Sequence, residues 1–340
     1  MFDLAGKRFL ITQTAFWSLR GSEMVAFELA EYLQSRGACV QIYTRHHAGA
    51  IAVETRRAGL TVITSKKHAF RLEDYDYIWV HHQLLPPALL EQLADPPAEM
   101  PVFIFHHMSS LDSNRLEQPY IDGFEARLAG LSLFISDVVR EKWLPKLGEE
   151  HPAALFPNPA PEAFSQYEHP AFPETPRSVL VISNSRNPAM PAFEALGMRV
   201  HTRGVSGDTY RRISPEDFDA HDAVFTAGKT VPYCLCAGVP VYVRGYYGIP
   251  GYLTGESLGQ AAGQHFCGRG SVARKSAEDI AREIIDNYAQ AVAFQTAMRQ
   301  ELIGRFSIDK VLPPLLEAIA PKTIEPFSRE YLAYVKEAMV

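Results

Sequence analysis

Short apolar runs alternate with amphipathic segments along the chain, beginning at residues 9–12. Runs of four to six apolar residues are typical of strands buried on both faces of a parallel sheet. Between them, apolar residues recur at helical spacing, as in residues 22–36 and 277–293. The predicted strands lie at residues 9–12, 40–44, 60–64, 78–81, 102–105, 131–136, 154–156, 179–182, 199–202, 223–226 and 239–243. This alternation predicts an α/β fold with doubly wound parallel sheets, which bind ligands at the carboxyl ends of their strands.

A proline-rich segment at residues 157–176 divides the pattern into two halves. Proline opposes both helix interiors and central strands, so the segment is predicted to be an interdomain linker. We therefore expect a first Rossmann-like domain over residues 1–165 and a second over residues 177–320. Residues 321–340 are predicted to form a C-terminal helix. Two such domains imply a cleft between them.

Length and composition restrict the classes of function. A chain of 340 residues exceeds one ordinary domain and fits two. Its net charge of -6 argues against nucleic acid as a partner, because the chain repels phosphate overall. No apolar run approaches the roughly 18 residues that span a bilayer, and the first residues lack the apolar core of a signal peptide. The four cysteines have neither zinc nor redox spacing, so we expect reduced thiols in a cytoplasmic protein.

A glycine turn follows the predicted strand at residues 223–226. Gly228 permits a tight turn there, and Lys229 and Thr230 open the next helix. The free N–H groups of a helix start, with a lysine and a hydroxyl, suit a phosphate group. The turn is not a P-loop, because Ala223 stands where a P-loop requires its first glycine. The alternative is a structural turn with a solvated lysine.

Two further polar loops follow strands in the second half. Asn184 and Arg186 come directly after the strand at residues 179–182, where Arg186 could hold a diphosphate through two hydrogen bonds. Tyr247 and Gly248 follow the strand at residues 239–243, where the tyrosine could stack on a base or bond a phosphate. The alternatives are an asparagine-rich turn with an exposed arginine, and a tyrosine that packs.

Paired histidines close two predicted strands of the first half. His81 and His82 close one strand, and His106 and His107 close another. Because neighbouring residues of a strand face opposite ways, at most one of each pair points to a given side. Histidine titrates near neutrality, so His82 or His107 could act as the general base toward an acceptor hydroxyl, with His106 lining the site. Asp112 is a second candidate base. The alternative is packed histidines, and no spacing predicts a metal site.

The stretch around Lys229 resembles the second half of GT-B glycosyltransferases. Residues 237–241, Ala-Gly-Val-Pro-Val, match their small-Gly-x-Pro-Val signature. A bacterial group related to glycosyltransferase family 4 carries Gly-Lys-Thr-Val, Pro-Val-Tyr and Gly-x-x-Gly-Tyr-Leu in this order. The corresponding residues here are 228–231, 240–242 and 248–253, and the Phe-Cys-Gly-Arg-Gly at 266–270 is also similar to that group.

The amino-terminal half resembles the same family, with one departure in the second half. Residues 20–23, Arg-Gly-Ser-Glu, resemble the family's Gly-Gly-x-Glu turn, which implies that Gly21 and Ser22 lie near the acceptor. Phe225 and Tyr233, however, stand where family 4 enzymes carry two glutamates that bind donor sugar and ribose. The departure leaves the sugar donor and the stereochemical outcome open.

The resemblance implies a GT-B fold, in which two Rossmann-like domains face a cleft and the C-terminal helix packs back on the first domain. It implies a metal-independent hexosyltransferase that moves a sugar from a nucleotide-sugar donor to a glycan or lipid-linked acceptor, in bacterial surface polysaccharide synthesis. The nucleotide-sugar is then a substrate, and no cofactor is expected. Such acceptors imply peripheral association with the inner membrane face, although no basic amphipathic helix requires it.

Two other classes of function stay open. A nucleotide-sugar epimerase or hydrolase shares the fold, and the two missing glutamates allow a non-catalytic partner subunit of a glycosyltransferase. A dinucleotide dehydrogenase is disfavoured, because no Gly-x-Gly-x-x-Gly follows a predicted strand.

Overall fold

A computed structural model describes residues 2–113, 118, 123–184 and 189–338. It divides the chain into two compact units: the first unit is Met1–Phe156 with Pro313–Val340, and the second unit is Pro157–Leu312. The proline-rich segment predicted as a linker thus belongs to the second unit. It contains a short helix whose Phe164 is buried and stacks on Tyr233 at 4.4 Å between ring centroids. An apolar anchor among the prolines therefore ties the segment into a core.

In the described part of the first unit, parallel strands form a seven-stranded sheet in the order β3-β2-β1-β4-β5-β6-β7. The strands are β1 (Arg8–Phe16), β2 (Cys39–His47), β3 (Thr61–Ile63), β4 (Tyr77–His81), β5 (Val102–His107), β6 (Ala129–Phe134) and β7 (Ala153–Leu155). The helices between them are α1 (Gly21–Ser35), α2 (Gly49–Arg57), α3 (Pro87–Gln92), α4 (Phe124–Leu128) and α5 (Asp137–Trp143). Buried side chains along the strands form the core, as expected of a sheet covered on both faces.

β1 continues well beyond its predicted end at residue 12. Thr12 and Gln13 are polar, which suggested a loop, yet both are completely buried. Thr12 Oγ1 accepts a hydrogen bond from His81 N (3.3 Å), and Gln13 Nε2 donates to Ala15 O (3.2 Å). These hydrogen bonds offset part of the cost of burying polar side chains in a strand. β1 therefore runs to Phe16.

The C-terminal helix packs on the first unit, as the resemblance implied. The helix α13 (Arg329–Ala338) follows Phe327, whose ring lies 3.8 Å from the Arg127 guanidinium. Phe327 joins a buried cluster with Leu332 and other side chains of the first unit. Lys336 Nζ adds an ion pair with Glu91 (2.9 Å). The preceding helix α12 (Ile308–Ala318) contains the border between the two units.

The described part of the second unit contains a five-stranded sheet in the order β12-β11-β10-β8-β9, in which β12 is antiparallel to β11. Its strands are β8 (Ser178–Ile182), β9 (Arg199–Arg203), β10 (Ala223–Thr226), β11 (Val241–Val243) and β12 (Gly251–Tyr252). Its helices are α6 (Glu162–Gln166), α7 (Met190–Ala195), α8 (Thr230–Ala237), α9 (Leu258–Gly263), α10 (Ala277–Asp286) and α11 (Tyr288–Phe306).

The amphipathic segment predicted as one helix at residues 277–293 is two helices, α10 and α11, which meet at Asn287. Asparagine competes for backbone hydrogen bonds and favours helix ends, which accounts for the break. Ser276 begins α10 as a side-chain cap, accepting a hydrogen bond from Asp279 N (3.0 Å).

Candidate functional site

The carboxyl ends of β8, β10 and β11 lie side by side in the second unit. Thr226 Oγ1 donates to Ile182 O (3.1 Å), and Arg244 N donates to Thr226 O (3.0 Å), which aligns the three strand ends. The loop at residues 265–269 joins them, because Gly228 N donates to Phe266 O (3.4 Å). We call this group of loops the carboxyl edge of the second unit. It is the edge at which a doubly wound sheet binds ligands.

The predicted glycine turn lies on this edge. Gly228 has a φ of 61°, which disfavours a side chain, and α8 begins at Thr230 with Lys229 as its N-cap. Lys229 is largely buried, its Nζ lies 3.4 Å from Pro159 O, and it sits 5.0 Å from the Tyr233 ring centroid. The alternative of a solvated lysine is therefore wrong. A buried ammonium at a helix start is a strong local source of positive charge.

His265 lies beside the Gly228 turn, and sequence reasoning missed it. Its Nε2 is 3.8 Å from the position that a Cβ on Gly228 would occupy. Burial, with the Lys229 charge, lowers the pKa of His265 to about 3, so the ring is neutral at physiological pH. A neutral imidazole offers one donor and one acceptor to a ligand. The only signal in the sequence was its position just before the Phe-Cys-Gly-Arg-Gly motif.

Three glycines hold two loops of this edge together. A Cβ on Gly248 would meet Gly268 O at 2.4 Å, and a Cβ on Gly245 would meet Cys267 O at 2.0 Å. Tyr247 N donates to Cys267 O (3.0 Å) between these contacts. Only glycine allows backbones to approach this closely. Gly248 thus serves loop packing, which also fixes the backbone of Tyr247.

Tyr247 presents its ring to a cation within the same edge. The Arg269 guanidinium lies 4.2 Å from the ring centroid, a cation–π contact. The neighbouring Tyr246 is 91% exposed. The pairing of Tyr247 with Arg269 adds a second positive charge to the edge, and sequence reasoning did not find it.

The other predicted donor residues follow β8. Asn184 is exposed at the end of this strand, and its carbonyl accepts a hydrogen bond from Ser206 Oγ (3.4 Å). Arg186 lies outside the residues that the structure describes. The structure therefore brings Asn184, Gly228, Lys229, Thr230, Tyr247 and Gly248 to the carboxyl edge of the second unit.

Phe225 and Tyr233 both lie in the core of the second unit. Phe225 is buried on β10 and stacks on Tyr242 at 5.5 Å between centroids. Tyr233 is buried on α8 between Phe164 and Lys229. Both aromatic rings are packing elements of the second unit.

In the first unit, His81 and His106 form a buried pair at the ends of β4 and β5. Trp79 Nε1 donates to His81 Nε2 (3.0 Å), so that nitrogen is an acceptor. His106 Nδ1 lies 3.1 Å from the same nitrogen. Burial and the neighbouring His106 hold the pKa of His81 well below its ordinary value. His106 is buried and packs against the rings of Trp79 and His81, which supports the structural alternative for His106.

His107 faces the other side of β5 and begins a buried polar chain. Its Nε2 lies 2.8 Å from Glu125 Oε1, and Ser132 Oγ donates to the same oxygen (2.6 Å). His151 Nε2 lies 2.7 Å from Ser132 Oγ. Burial alone would raise the pKa of Glu125, but His107 and Ser132 outweigh it, and the pKa lies below its ordinary value. Glu125, which the sequence did not single out, therefore fixes the ring of His107.

His82 and Asp112 are more accessible than His107. His82 follows β4 with a φ of 54° and is partly exposed, and its carbonyl accepts from Thr14 Oγ1 (3.4 Å). A left-handed backbone at a strand end is uncommon for a residue with a side chain and is found most often at functional sites. Asp112 is exposed and paired with Lys142 (2.8 Å), which lowers its pKa. A lowered pKa makes a carboxylate a weaker base.

The turn before α1 is organised by Glu23. Its Oε1 accepts from Trp17 N (2.6 Å) and Ser18 N (2.8 Å). The helix begins at Gly21, which is exposed, and within the described residues no side chain caps it. Ser22 lies within the first turn of the helix, and its hydroxyl accepts a long hydrogen bond from Gln13 Nε2 (3.4 Å). Glu23, rather than the glycine, gives this turn its shape.

Among residues 2–113, 118, 123–184 and 189–338, no group of three His, Cys, Asp or Glu side chains is placed to hold a metal ion. In the same part of the chain, no helix combines the length and the apolar character needed to cross a bilayer.

Neither a protein-family model nor a curated protein sequence matches the chain. Solved structures do match. HepE from Anabaena, in complex with UDP-glucose, superimposes with a TM-score of 0.59 at 12% identity, over 91% of this chain and 98% of HepE. A glycosyltransferase from Rickettsia africae has a TM-score of 0.56 at 15% identity, over 92% of this chain and 97% of its own.

A structure from Listeria monocytogenes assigned as a UDP-N-acetylglucosamine 2-epimerase has a TM-score of 0.50 at 12% identity, over 92% of this chain and 95% of its own. Similarity at these low identities shows the fold. The predicted α/β GT-B fold with two Rossmann-like units is thereby confirmed.

Proposed function

We propose that the protein is a glycosyltransferase that uses a nucleotide-sugar donor. The observation that carries the proposal is the buried Lys229 at the start of α8, on the carboxyl edge of a Rossmann-like unit. The fold of HepE, which was solved with UDP-glucose, supports it. We infer that the donor binds in the second unit and that the acceptor, a glycan or lipid-linked saccharide, binds in the first.

During glycosyl transfer, negative charge builds up on the leaving diphosphate, and the protein has to stabilise that charge. Lys229 supplies a full positive charge, and the N–H groups at the start of α8 supply partial ones. The contact of Lys229 with Pro159 O is long at 3.4 Å, and we propose that the ammonium donates to a phosphate oxygen when the nucleotide binds. Such chemistry requires no metal, and we propose a metal-independent hexosyltransferase.

The acceptor hydroxyl loses its proton as it attacks the anomeric carbon, and His82 and His107 are the proposed bases. In a neutral His107, the Nε2–H donates to Glu125, which leaves Nδ1 as the nitrogen that takes a proton. His82 is the more exposed of the two residues. We rank Asp112 last, because its ion pair with Lys142 opposes protonation.

A nucleoside diphosphate should stabilise the protein in a thermal-shift assay with UDP, GDP, CMP and dTDP compared side by side. A ligand that binds the folded chain at 100 times its Kd adds about 2.7 kcal/mol to the free energy of unfolding. We expect one nucleoside diphosphate to raise the Tm. Inorganic phosphate at the same concentration should raise the Tm by less. No shift with any of the four nucleotides would contradict the proposal.

His82→Asn and His107→Gln separate the two candidate bases. Asparagine tolerates the left-handed backbone at position 82, and glutamine keeps an N–H donor toward Glu125. Loss of the base should lower turnover by about 10²- to 10⁴-fold while UDP affinity stays the same. The assay is UDP release from UDP-glucose, in which water replaces the acceptor. Wild-type turnover in both variants would show that the base lies elsewhere.

The similarity to the Listeria structure makes an epimerase the second candidate function. UDP-N-acetylglucosamine supplied without acceptor distinguishes the two. A transferase releases UDP slowly by hydrolysis, whereas an epimerase inverts the sugar and establishes an equilibrium of two nucleotide-sugars. A non-catalytic partner subunit would bind the nucleotide and release no UDP.

A further inference from the structure

Trp17 differs from the other tryptophans in its surroundings. The chain has three tryptophans, all within the described ranges. Trp79 and Trp143 are completely buried, whereas Trp17 is 51% exposed. Trp17 directly follows β1, at the edge of the first unit where the parallel strands end. An exposed indole at the ligand-binding edge of a sheet is a binding-site feature, because water solvates its large apolar face poorly.

The backbone beneath this indole is fixed from two sides. Glu23 accepts hydrogen bonds from Trp17 N (2.6 Å) and Ser18 N (2.8 Å). On the other side, Ala48 N donates to Phe16 O (3.1 Å), and a Cβ on Gly49 would lie 2.3 Å from Trp17 O. The ring is therefore presented on a rigid support, which lowers the entropy that a ligand must remove on binding.

The groups around the indole are polar. His46 is exposed, with its ring centroid 5.9 Å from that of Trp17. Ser18 and the exposed Arg20 follow Trp17 in the chain. A flat apolar face rimmed by hydrogen-bonding groups fits a pyranose ring, which has an apolar C–H face and hydroxyls at its rim. A bilayer fits poorly, because insertion of the indole would desolvate Arg20 and His46.

We propose that Trp17 is a stacking platform for a saccharide ring of the acceptor, held in position by Glu23. This inference rests on the proposed glycosyltransferase function and adds the chemical class of the group that the acceptor presents. His82 lies at the end of β4, the neighbour of β1 in the sheet, and the Thr14 hydroxyl of β1 donates to the His82 carbonyl (3.4 Å). The platform and a candidate base thus belong to adjacent strand ends.

Tryptophan fluorescence tests the platform directly. Acrylamide should quench Trp17 and spare the two buried tryptophans, so Trp17→Phe should remove most of the quenchable emission. Maltotriose, cellotriose and chitotriose are the probes. We expect at least one of them to protect Trp17 from the quencher, and we expect Trp17→Ala to weaken its affinity roughly tenfold in calorimetry, with Trp17→Phe in between.

The matched control is Tyr334→Ala, which removes an aromatic ring that is 47% exposed on α13. It should leave saccharide affinity unchanged. Protection by none of the three saccharides overturns the proposal. So does protection by UDP alone, or a blue shift of Trp17 emission on phosphatidylglycerol vesicles, because these assign the ring to a nucleotide or to a membrane.

The outcome for Trp17 is separable from the outcome for the proposed function. If UDP binds but no saccharide protects Trp17 from acrylamide, the stacking platform is rejected and the proposed donor site is retained. If a saccharide protects Trp17 from acrylamide but no nucleoside diphosphate binds, the stacking platform is retained and the proposed transferase function is rejected.

Discussion

Replacing Lys229 should weaken the binding of nucleoside diphosphate by about 10- to 150-fold. A hydrogen bond to a charged group contributes about 1.5–3 kcal/mol, which corresponds to that range of affinity. Lys229→Ala would also leave a void beside Tyr233, because the lysine stem is largely buried. Lys229→Met keeps the stem and removes the charge, so it is the sharper variant. Calorimetric titration with UDP measures the change.

Two controls accompany this titration. Lys310→Ala removes an exposed lysine of the second unit that is paired with Asp309 (3.0 Å), and it should leave UDP affinity unchanged. NMR titration of His265 reports the lost charge without any ligand: its pKa should rise in Lys229→Met, although burial keeps it below the ordinary value. A variant with the shifted His265 pKa and wild-type UDP affinity would refute the phosphate assignment.

Gly268→Ala should destabilise the second unit by about 2–4 kcal/mol, the second large effect that we expect. Gly268 has a φ of 84°, where a side chain is strained, and its Cβ would lie 2.1 Å from Gly248 O. The obstacle is backbone, so the two loops must move apart. For a unit of this size the loss corresponds to a Tm lower by roughly 4–16 °C.

Gly259→Ala is the matched control for this change. Gly259 lies in α9 with open space around its Cβ position, so alanine there should be neutral or should stabilise by up to about 1 kcal/mol. Because separation of the loops displaces Tyr247, Gly268→Ala should also weaken UDP binding at temperatures where the protein stays folded. Equal melting temperatures for Gly268→Ala and the wild type would contradict the described loop contact.

Local signals predicted much of the fold, and contacts between distant segments account for what they missed. The turn at Gly228 was predictable, because a glycine after an apolar run, with Pro232 in the first turn of α8, specifies a strand–turn–helix unit. The extension of β1 through Thr12 and Gln13 was not, because their burial depends on partners supplied by other parts of the sheet.

In the candidate site, too, contacts between distant segments were not predictable from the sequence. The sequence singled out Lys229 by its place at a helix start, but nothing local indicated that His265 would pack against the preceding turn. Likewise, the histidine at position 107 stood out, whereas its partner Glu125 lies in α4, between two strands, with no motif around it. A residue that positions another side chain, as Glu125 positions His107, is not marked by a sequence motif or by a regular spacing of residues.

The aromatic core at Phe225 and Tyr233 has a consequence for protein engineering. A glutamate at either position would place a carboxylate among rings that offer it little solvation. Each single substitution would destabilise the second unit, and Tyr242 and Phe164 would have to change as well to accommodate a carboxylate. The loops at the carboxyl edge of the second unit are therefore better places for new polar side chains than these two core positions.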